Sequence, residues 1–274
     1  MPDVVDEYVT ARPPGPHLAA LTGWAQAGTA PQVHRGLPSP WLTFIVTLAD
    51  PLVVAAHPDP AQQPGRYETL VGGLHTRPAL ITHDGRQSGV QLSVHPLAAR
   101  GLLGMPAGEL ADRDEHAVDV LGPWVDRLQD RLRAAPGWSG RFAVVADELA
   151  ARPHRPVAAE LVRAWHLLTR TATPVAAVAA DVGWSARRLH ARCRAETGLS
   201  PQELRRVARF DQARRALAAG VPPAVVAAEH GYTDQPHLTR DVTRFAGLPP
   251  RRWLAAERRS VQDADPGPAA GSPA

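Results

Sequence analysis

The spacing of apolar residues changes partway along this chain, and the change divides it. Before about residue 95 the apolar residues come in short runs or in alternation. Residues 41–48 (WLTFIVTL) and 52–56 (LVVAA) are rich in β-branched and aromatic types and are bounded by Pro and Asp. Residues 67–73 and 78–82 look similar, and 89–94 alternates with a period of two. His83-Asp84-Gly85-Arg86 reads as a hairpin turn. Together these predict a small antiparallel sheet or barrel. Residues 1–16 are Pro-rich and are expected to be ordered only where they dock.

After Pro96 the period becomes helical. Pro106–Leu110 could open one turn. Residues 118–132 place Leu121, Trp124, Val125, Leu128 and Leu132 on one face of a predicted helix. Pro136-Gly137 breaks it, and Phe142, Val145, Ala146 and Leu149 mark the next helix. These helices could cover the sheet or pair with a second chain. Arg152-Pro153-His154-Arg155-Pro156, with two prolines in five residues, is the best linker. Leu161, Trp165 and Leu168 then begin a second helical region.

That region contains a unit written twice. Val178-Ala179-Ala180-Asp181-Val182-Gly183-Trp184-Ser185 returns 48 residues later as Val226-Ala227-Ala228-Glu229-His230-Gly231-Tyr232-Thr233. Past the turn the offset is 49, pairing Leu189 with Leu238, Cys193 with Val242, Gly198 with Gly247, Pro201 with Pro250 and Leu204 with Trp253. Such a period signals a repeated supersecondary unit, and two copies are too few for a solenoid. Each copy reads helix, tight turn, helix. Thr173 is the expected N-cap of the first helix, with Pro174 its first residue, and Ser185 and Thr233 are expected to cap the helices after the turns. Gly183 and Gly231 supply positive φ at the turns. This is a helix-turn-helix signature, whose second helix can enter a DNA major groove. Residues 201–219 between the copies read as one helix, with Leu204, Ala208, Phe210, Ala213 and Leu217 inward and Gly220 as its stop. It would be about 28 Å long at 1.5 Å per residue. Successive major-groove faces lie roughly 34 Å apart, so such a rod could set two recognition helices near one turn apart.

Charge follows the same division. The chain has 30 basic residues, all Arg, and 27 acidic ones. Residues 154–259 carry 18 Arg against 9 acids, whereas 1–153 carry 12 against 16. A basic region beside a mildly acidic one is the electrostatic footprint of a nucleic-acid-binding domain with a partner domain. Guanidinium groups suit bidentate contact with phosphate or guanine. The single Cys193 excludes an intrachain disulfide and a multi-cysteine zinc site. There is no run of about 18 apolar residues and no basic-then-apolar leader, so a cytoplasmic protein without a membrane partner is expected.

The second unit, Gly231-Tyr232-Thr233-Asp234-Gln235-Pro236-His237-Leu238-Thr239-Arg240, continues to Phe245-Ala246-Gly247-Leu248-Pro249-Pro250-Arg251-Arg252-Trp253. It resembles the most recognisable segment of AraC/XylS-type transcription regulators. The first unit fits through Gly183-Trp184-Ser185, Leu189, Glu196–Pro201 and Arg209. The resemblance covers about residues 157–256. In the front half, Val71-Gly72-Gly73-Leu74 and Leu103–Ala107 look like the N-terminal domain of some actinobacterial members. The resemblance implies an α+β chain with three parts. These are an N-terminal β-rich domain with covering helices for effector binding or dimerisation (1–152), a bipartite helix-turn-helix DNA-binding domain joined by a long helix (157–258), and a disordered tail (260–274). The implied partners are double-stranded DNA, a small-molecule effector and a second copy of the chain through the N-terminal domain.

The family's base-reading positions correspond to Arg187, His190 and Ala191 in the first recognition helix. In the second they correspond to Gln235, Pro236, Thr239 and Arg240. Arg240 could fork onto guanine and Gln235 onto adenine. Ala191 stands where the family commonly has Arg, and either Arg192 compensates or the first unit reads less sequence. Ser185, Arg192, Arg194, Arg205, Thr233, Arg244, Arg251 and Arg252 are assigned to phosphate, which gives affinity without sequence information. Leu189, Leu238, Phe210, Trp165, Trp253 and Cys193 fall on inward stripes and are read as core rather than contacts. Cys193 is therefore not read as a nucleophile. His57, His75, His83 and His95 show no metal-ligand spacing. Trp24, Trp41 and Tyr67 read first as core and second as the lining of an effector pocket. No phosphate loop, nucleophile elbow or paired-carboxylate motif occurs, so no catalytic residue, cofactor or metal is expected. The alternatives are an enzyme or metal-binding sensor tethered to nucleic acid by the helical part, and helix pairs that bind a protein.

Overall fold

The computed structural model describes residues 5–152 and 155–257. Pro153 and His154 of the expected linker, and the expected disordered tail, lie outside these residues. Ten strands precede most of the helices: β1 (Val5–Ala11), β2 (Leu18–Ala27), β3 (Gln32–Gly36), β4 (Leu42–Thr47), β5 (Leu52–Ala56), β6 (Gly65–Tyr67), β7 (Thr69–Gly72), β8 (Ala79–His83), β9 (Gln87–Val94) and β10 (Asp114–His116). They form a six-stranded sheet in the order β1-β2-β9-β4-β7-β10 and a four-stranded sheet in the order β3-β8-β5-β6. Each pairing within them is antiparallel.

The larger sheet is covered on both faces, which is why its strands read as nearly continuous apolar runs. Leu42, Phe44 and Val46 of β4, with Val90, Leu92 and Val94 of β9, enter the core shared with the helices. Trp24, Ile45 and Leu70 point the other way, into a second core completed by Leu52, Val54, Tyr67 and Ala79 of the smaller sheet. The helices over the sheet are α1 (Ala99–Leu102), α2 (Ala117–Leu121), α3 (Trp124–Ala134) and α4 (Gly137–Ala150). Gln129 of α3 is buried and donates to the carbonyls of Thr47 (2.9 Å) and Glu68 (3.2 Å), tying the helix to the strand ends. Gly23 on β2 has no Cβ because Trp138 of α4 lies there, 2.3 Å from where one would sit.

Three local expectations are corrected. Val5–Ala11 is a full edge strand, in register from Val5 opposite Ala27 to Ala11 opposite Leu21. His83–Arg86 does turn, with Gly85 at φ 102°, but it passes the chain from one sheet to the other and is not a hairpin. Residues 118–132 are two helices, because Gly122 at φ 85° and Pro123 stop α2 before α3 starts.

The C-terminal region comprises α5 (Ala159–Arg170), α6 (Val175–Asp181), α7 (Ala186–Thr197), α8 (Pro201–Ala218), α9 (Pro223–Glu229), α10 (Gln235–Ala246) and α11 (Pro250–Ala256). Among the described residues, no helix is long and apolar enough to cross a membrane. α8 starts with a capping box in which the Ser200 hydroxyl accepts from the Glu203 N–H and the Glu203 carboxylate accepts from the Ser200 N–H. It has 18 residues, with Ala219 as its C-cap and Gly220 beyond at φ 85°. Leu204, Ala208, Phe210, Ala213 and Leu217 are buried as expected. Thr173 does not cap α6. Pro174 is in the extended cap position, and the Thr173 hydroxyl pairs with that of Thr171 instead.

The two regions share a hydrophobic core. Trp41 meets Trp165 at 5.9 Å, and the His95 ring lies 4.8 Å from Trp165. Burial holds the His95 imidazole down at about 4, so it stays neutral in this seam. The 3-10 turn at Ala107–Leu110 sits on the end of α7, with Gly108 against the carbonyls of Arg194 and Ala195. Ala111 sits where a Cβ on Gly198 would come within 2.2 Å of its methyl. The duplication supplies a control. Gly198 and Gly247 both cap helices at positive φ, 79° and 71°, but a Cβ on Gly247 would meet only Pro78 at 3.6 Å. We expect Gly247→Ala to cost about 1 kcal/mol from backbone strain alone. Gly198→Ala should cost at least twice that in urea unfolding, and equal costs would contradict the packing described.

Candidate nucleic-acid interface

α6 and α9 have seven residues each, too short to be stable alone. Each is closed by the same hydrogen bonds in both copies. Trp184 N–H donates to the Ala179 carbonyl (2.9 Å) and Tyr232 N–H to the Ala227 carbonyl (3.0 Å), across Gly183 at φ 65° and Gly231 at φ 69°. The copies part at the next residue. Ser185 caps α7, its hydroxyl accepting from the Arg188 N–H at 3.1 Å. Thr233 does not cap α10; Asp234 does, accepting from the His237 N–H at 2.6 Å. Thr233 is thus the extra residue that changes the offset from 48 to 49.

The inward positions are as expected. Leu189, Cys193, Leu238, Phe210, Trp165 and Trp253 are all buried. Burial pushes the Cys193 thiol up to about 12, which keeps it protonated and non-nucleophilic at neutral pH. The outward faces divide into free and engaged side chains. Arg187, His190, Gln235 and Arg240 are exposed, Thr239 is half-buried, and among the described residues none of these side chains has a hydrogen-bond or ion-pair partner, apart from any made by main-chain atoms. Arg251 and Arg252, in the first turn of α11, are likewise exposed and free. Ala191 and Pro236 are exposed but offer no side-chain donor.

Four other arginines assigned to phosphate already have partners. Arg194 donates to the Gly198 carbonyl and pairs with Glu203, each at 3.0 Å. Arg205 donates to the Ala172 carbonyl at 3.3 Å. Arg192 lies 3.7 Å from Glu196, and Arg244 rests on the Phe245 ring at 5.9 Å. Arg188 is a further cation on this face, one that sequence reasoning passed over. It is exposed on the same helix as Arg187 and stacks on Trp184 at 5.0 Å.

Two ionic contacts fix the recognition helices, and neither was expected from the sequence. Asp241, buried on the inner side of α10, is gripped by Arg206 at 2.6 Å and Arg209 at 2.7 Å, both from α8. Arg209 also reaches the Gly231 carbonyl at 3.3 Å and stacks on Tyr232 at 4.3 Å, so it holds the turn as well as the helix. The first copy has instead the more exposed ion pair of its Arg194 with Glu203 of α8, at 3.0 Å. Its buried Glu196 is held from the N-terminal region by Arg100, through two bonds of 2.9 and 3.0 Å. That contact is at the C-terminal end of α7, and the N-terminal half with Arg187 and His190 stays open.

Residues 178–256 match the family model of a helix-turn-helix domain. By that match the C-terminal region is a helix-turn-helix domain. Over the whole chain the fold is similar to that of ToxT from Vibrio cholerae. One structure of that protein gives a TM-score of 0.51 at 10% identity, covering 91% of this chain and 98% of ToxT. The apo form of a ToxT point variant gives 0.51 at 8% identity, covering 86% and 97%. No match was found among curated protein sequences. The likeness is one of fold, and the helix-turn-helix assignment rests on residues 178–256.

Two tests follow from this geometry. Burial raises the Asp241 pKa, but Arg206 and Arg209 together outweigh it and leave the carboxyl below its ordinary value. A depressed folded pKa contributes stability above the unfolded value and loses it as pH falls through the folded one. Asp241→Asn should therefore cost about 3 kcal/mol at neutral pH. The gap to the unmodified chain should close as unfolding is measured at pH values below the carboxylate range, and a constant gap would contradict the ionic grip. Separately, native Cys193 should resist iodoacetamide at neutral pH and react once the chain is unfolded in denaturant. Rapid native labelling would show that the thiol is not buried.

Proposed function

We propose that this chain is a sequence-specific transcription regulator that places α7 and α10 in successive major-groove segments on one side of duplex DNA. The observation that carries the reading is the pair of open N-terminal faces, Arg187 with His190 on α7 and Gln235 with Arg240 on α10, on the two helices that the chain joins through the 18-residue α8. Recognition helices present their N-terminal residues to base edges, and a rod of about 27 Å suits grooves about 34 Å apart. Arg187, His190, Gln235, Thr239 and Arg240 are the base readers. Arg251 and Arg252 are free to take phosphate; Arg188, Arg192, Arg194, Arg205 and Arg244 must leave or share their present partners to do so. Ser185 caps α7 and Thr233 precedes the Asp234 cap of α10, so their hydroxyls lie beside helix N-termini that suit phosphate. The second copy reads more sequence than the first, because Ala191 has no donor.

The regulatory part is the N-terminal region, about 1–152, and the DNA-binding part about 157–258. Between the two sheets lies a cavity lined by Trp24, Ile45, Leu70, Ile81, Gln91 and Asp114 among others. It is the place for an effector. One structure of ToxT, similar in fold at a TM-score of 0.50 and 10% identity, is bound to a methylnaphthalenyl butenoic acid, which supports ligand control here. Strand β3 joins the cavity to the DNA-binding part. Arg35 and His34 line the cavity and also hold Glu257, just past α11, with the Arg35 N–H donating to Glu257 at 2.8 Å.

Arg240→Ala should cost about 1–3 kcal/mol at one base position and relax preference there. Arg251→Ala should weaken all sequences alike and flatten the salt dependence by about one unit. Titration of each variant on selected and random duplexes checks both. Equal losses on the two duplexes for Arg240→Ala would overturn its assignment as a reader.

A further inference from the structure

Deep in the same cavity is a carboxylate with an unused oxygen. Asp114 is 8% exposed and sits on β10 beside β7. Its Oδ1 lies 2.6 Å from where a Cβ on Gly72 would be, so the glycine makes room for it. Oδ2 accepts from His57 Nδ1 at 2.8 Å. On the other side of the ring the Tyr67 hydroxyl lies 3.3 Å from His57 Nε2. Of the two carboxylate oxygens, Oδ2 is thus taken by His57 and Oδ1 has no partner among the described residues.

The other basic side chains of the lining are engaged elsewhere. Arg35 is 3.4 Å from Glu257, and His34 is shared between His83 at 2.9 Å and Glu257 at 3.5 Å. The His75 ring is engaged with the Arg77 carbonyl. Most remaining walls are apolar: Trp24, Ile45, Leu52, Val54, Leu70 and Ile81. A buried charge is normally paired, and a concave apolar site with few polar groups selects a ligand that matches both. A carboxylic acid would have to displace Glu257 from Arg35 and face Asp114 across the cavity.

We infer that the cavity takes a small organic cation, an ammonium or related N–H cation on an apolar ring-sized body, with the cation on Asp114 Oδ1. The inference rests on the reading of the cavity as an effector site. The Trp24 indole N–H, buried and also without a partner, is a further donor on the wall for an acceptor on the ligand body.

The full chain should be titrated by calorimetry with three probes sharing one apolar body: naphthylmethylamine, naphthylmethanol and naphthylacetic acid. The amine should bind at least tenfold tighter than the alcohol, and the acid weakest. Asp114→Asn should remove the amine's advantage and leave the alcohol unchanged. Ile81→Phe, at a half-buried position on the wall, keeps the carboxylate and should weaken amine and alcohol alike, which keeps the location testable if Asp114→Asn does not fold. Acid binding as tight as amine, no amine binding, or an unchanged amine affinity in a folded Asp114→Asn would overturn the inference. Duplex retardation is measured on the same preparations. A chain that retards duplex but takes no amine overturns the ligand class alone, and one that takes amine but retards no duplex overturns the DNA reading alone.

Discussion

A helix of seven residues and a tight turn cannot orient a recognition helix unaided, because so short a segment buries too little to hold its own geometry. The hold on α10 comes from α8. Arg206 and Arg209 close on the buried Asp241, and Arg209 also braces the turn at Gly231 and Tyr232. Removing one partner of a buried charged set leaves the others uncompensated and is costly. The contact thus fixes the angle of the second recognition helix relative to the rod that spaces the two. The first recognition helix is fixed differently, by Arg100 on Glu196 and by the close approach of Gly108 and Ala111 to its C-terminal end. The second recognition helix is thus gripped from α8, and the first both from α8, by Arg194 on Glu203, and from the N-terminal region.

That asymmetry gives the N-terminal region a route to DNA binding. Its larger sheet is covered by helices on one face and encloses the cavity on the other, so a ligand between the sheets touches the same strands that support the helical seam. The 3-10 turn and α1 lead from that core to α7, and β3 leads from the cavity wall to Glu257. We propose that occupancy of the cavity changes how α7 is held and leaves α10 to α8.

The sequence was legible where one physical rule acted alone. The duplication, the inward stripes on α5 and α8, and the glycines at φ 65° and 69° each follow from a local period or a single steric need. Strands of the larger sheet were found where β-branched runs were dense. β1 was missed because its composition is that of an exposed edge, and β10 because three polar residues, Asp114, Glu115 and His116, carry no strand signal. The split between α2 and α3 was hidden because the apolar spacing continues across Gly122-Pro123. Thr233 was mistaken for a cap because it aligns with Ser185, and the one-residue insertion moves the role to Asp234. The grips on Asp241 and Glu196 join residues 32 to 96 positions apart, which no local pattern could have shown.

The central claim is that one chain reads two half-sites because α8 sets α7 and α10 about one DNA turn apart. It is tested most directly by moving one half-site of a selected duplex in steps of one base pair and measuring affinity at each step. Affinity should peak at a separation of about 10 base pairs. It should fall at least tenfold when the site is moved by half a turn, and it should not recover at two turns, because α8 cannot lengthen. Affinity independent of spacing, or a second peak of equal height at two turns, would contradict the account.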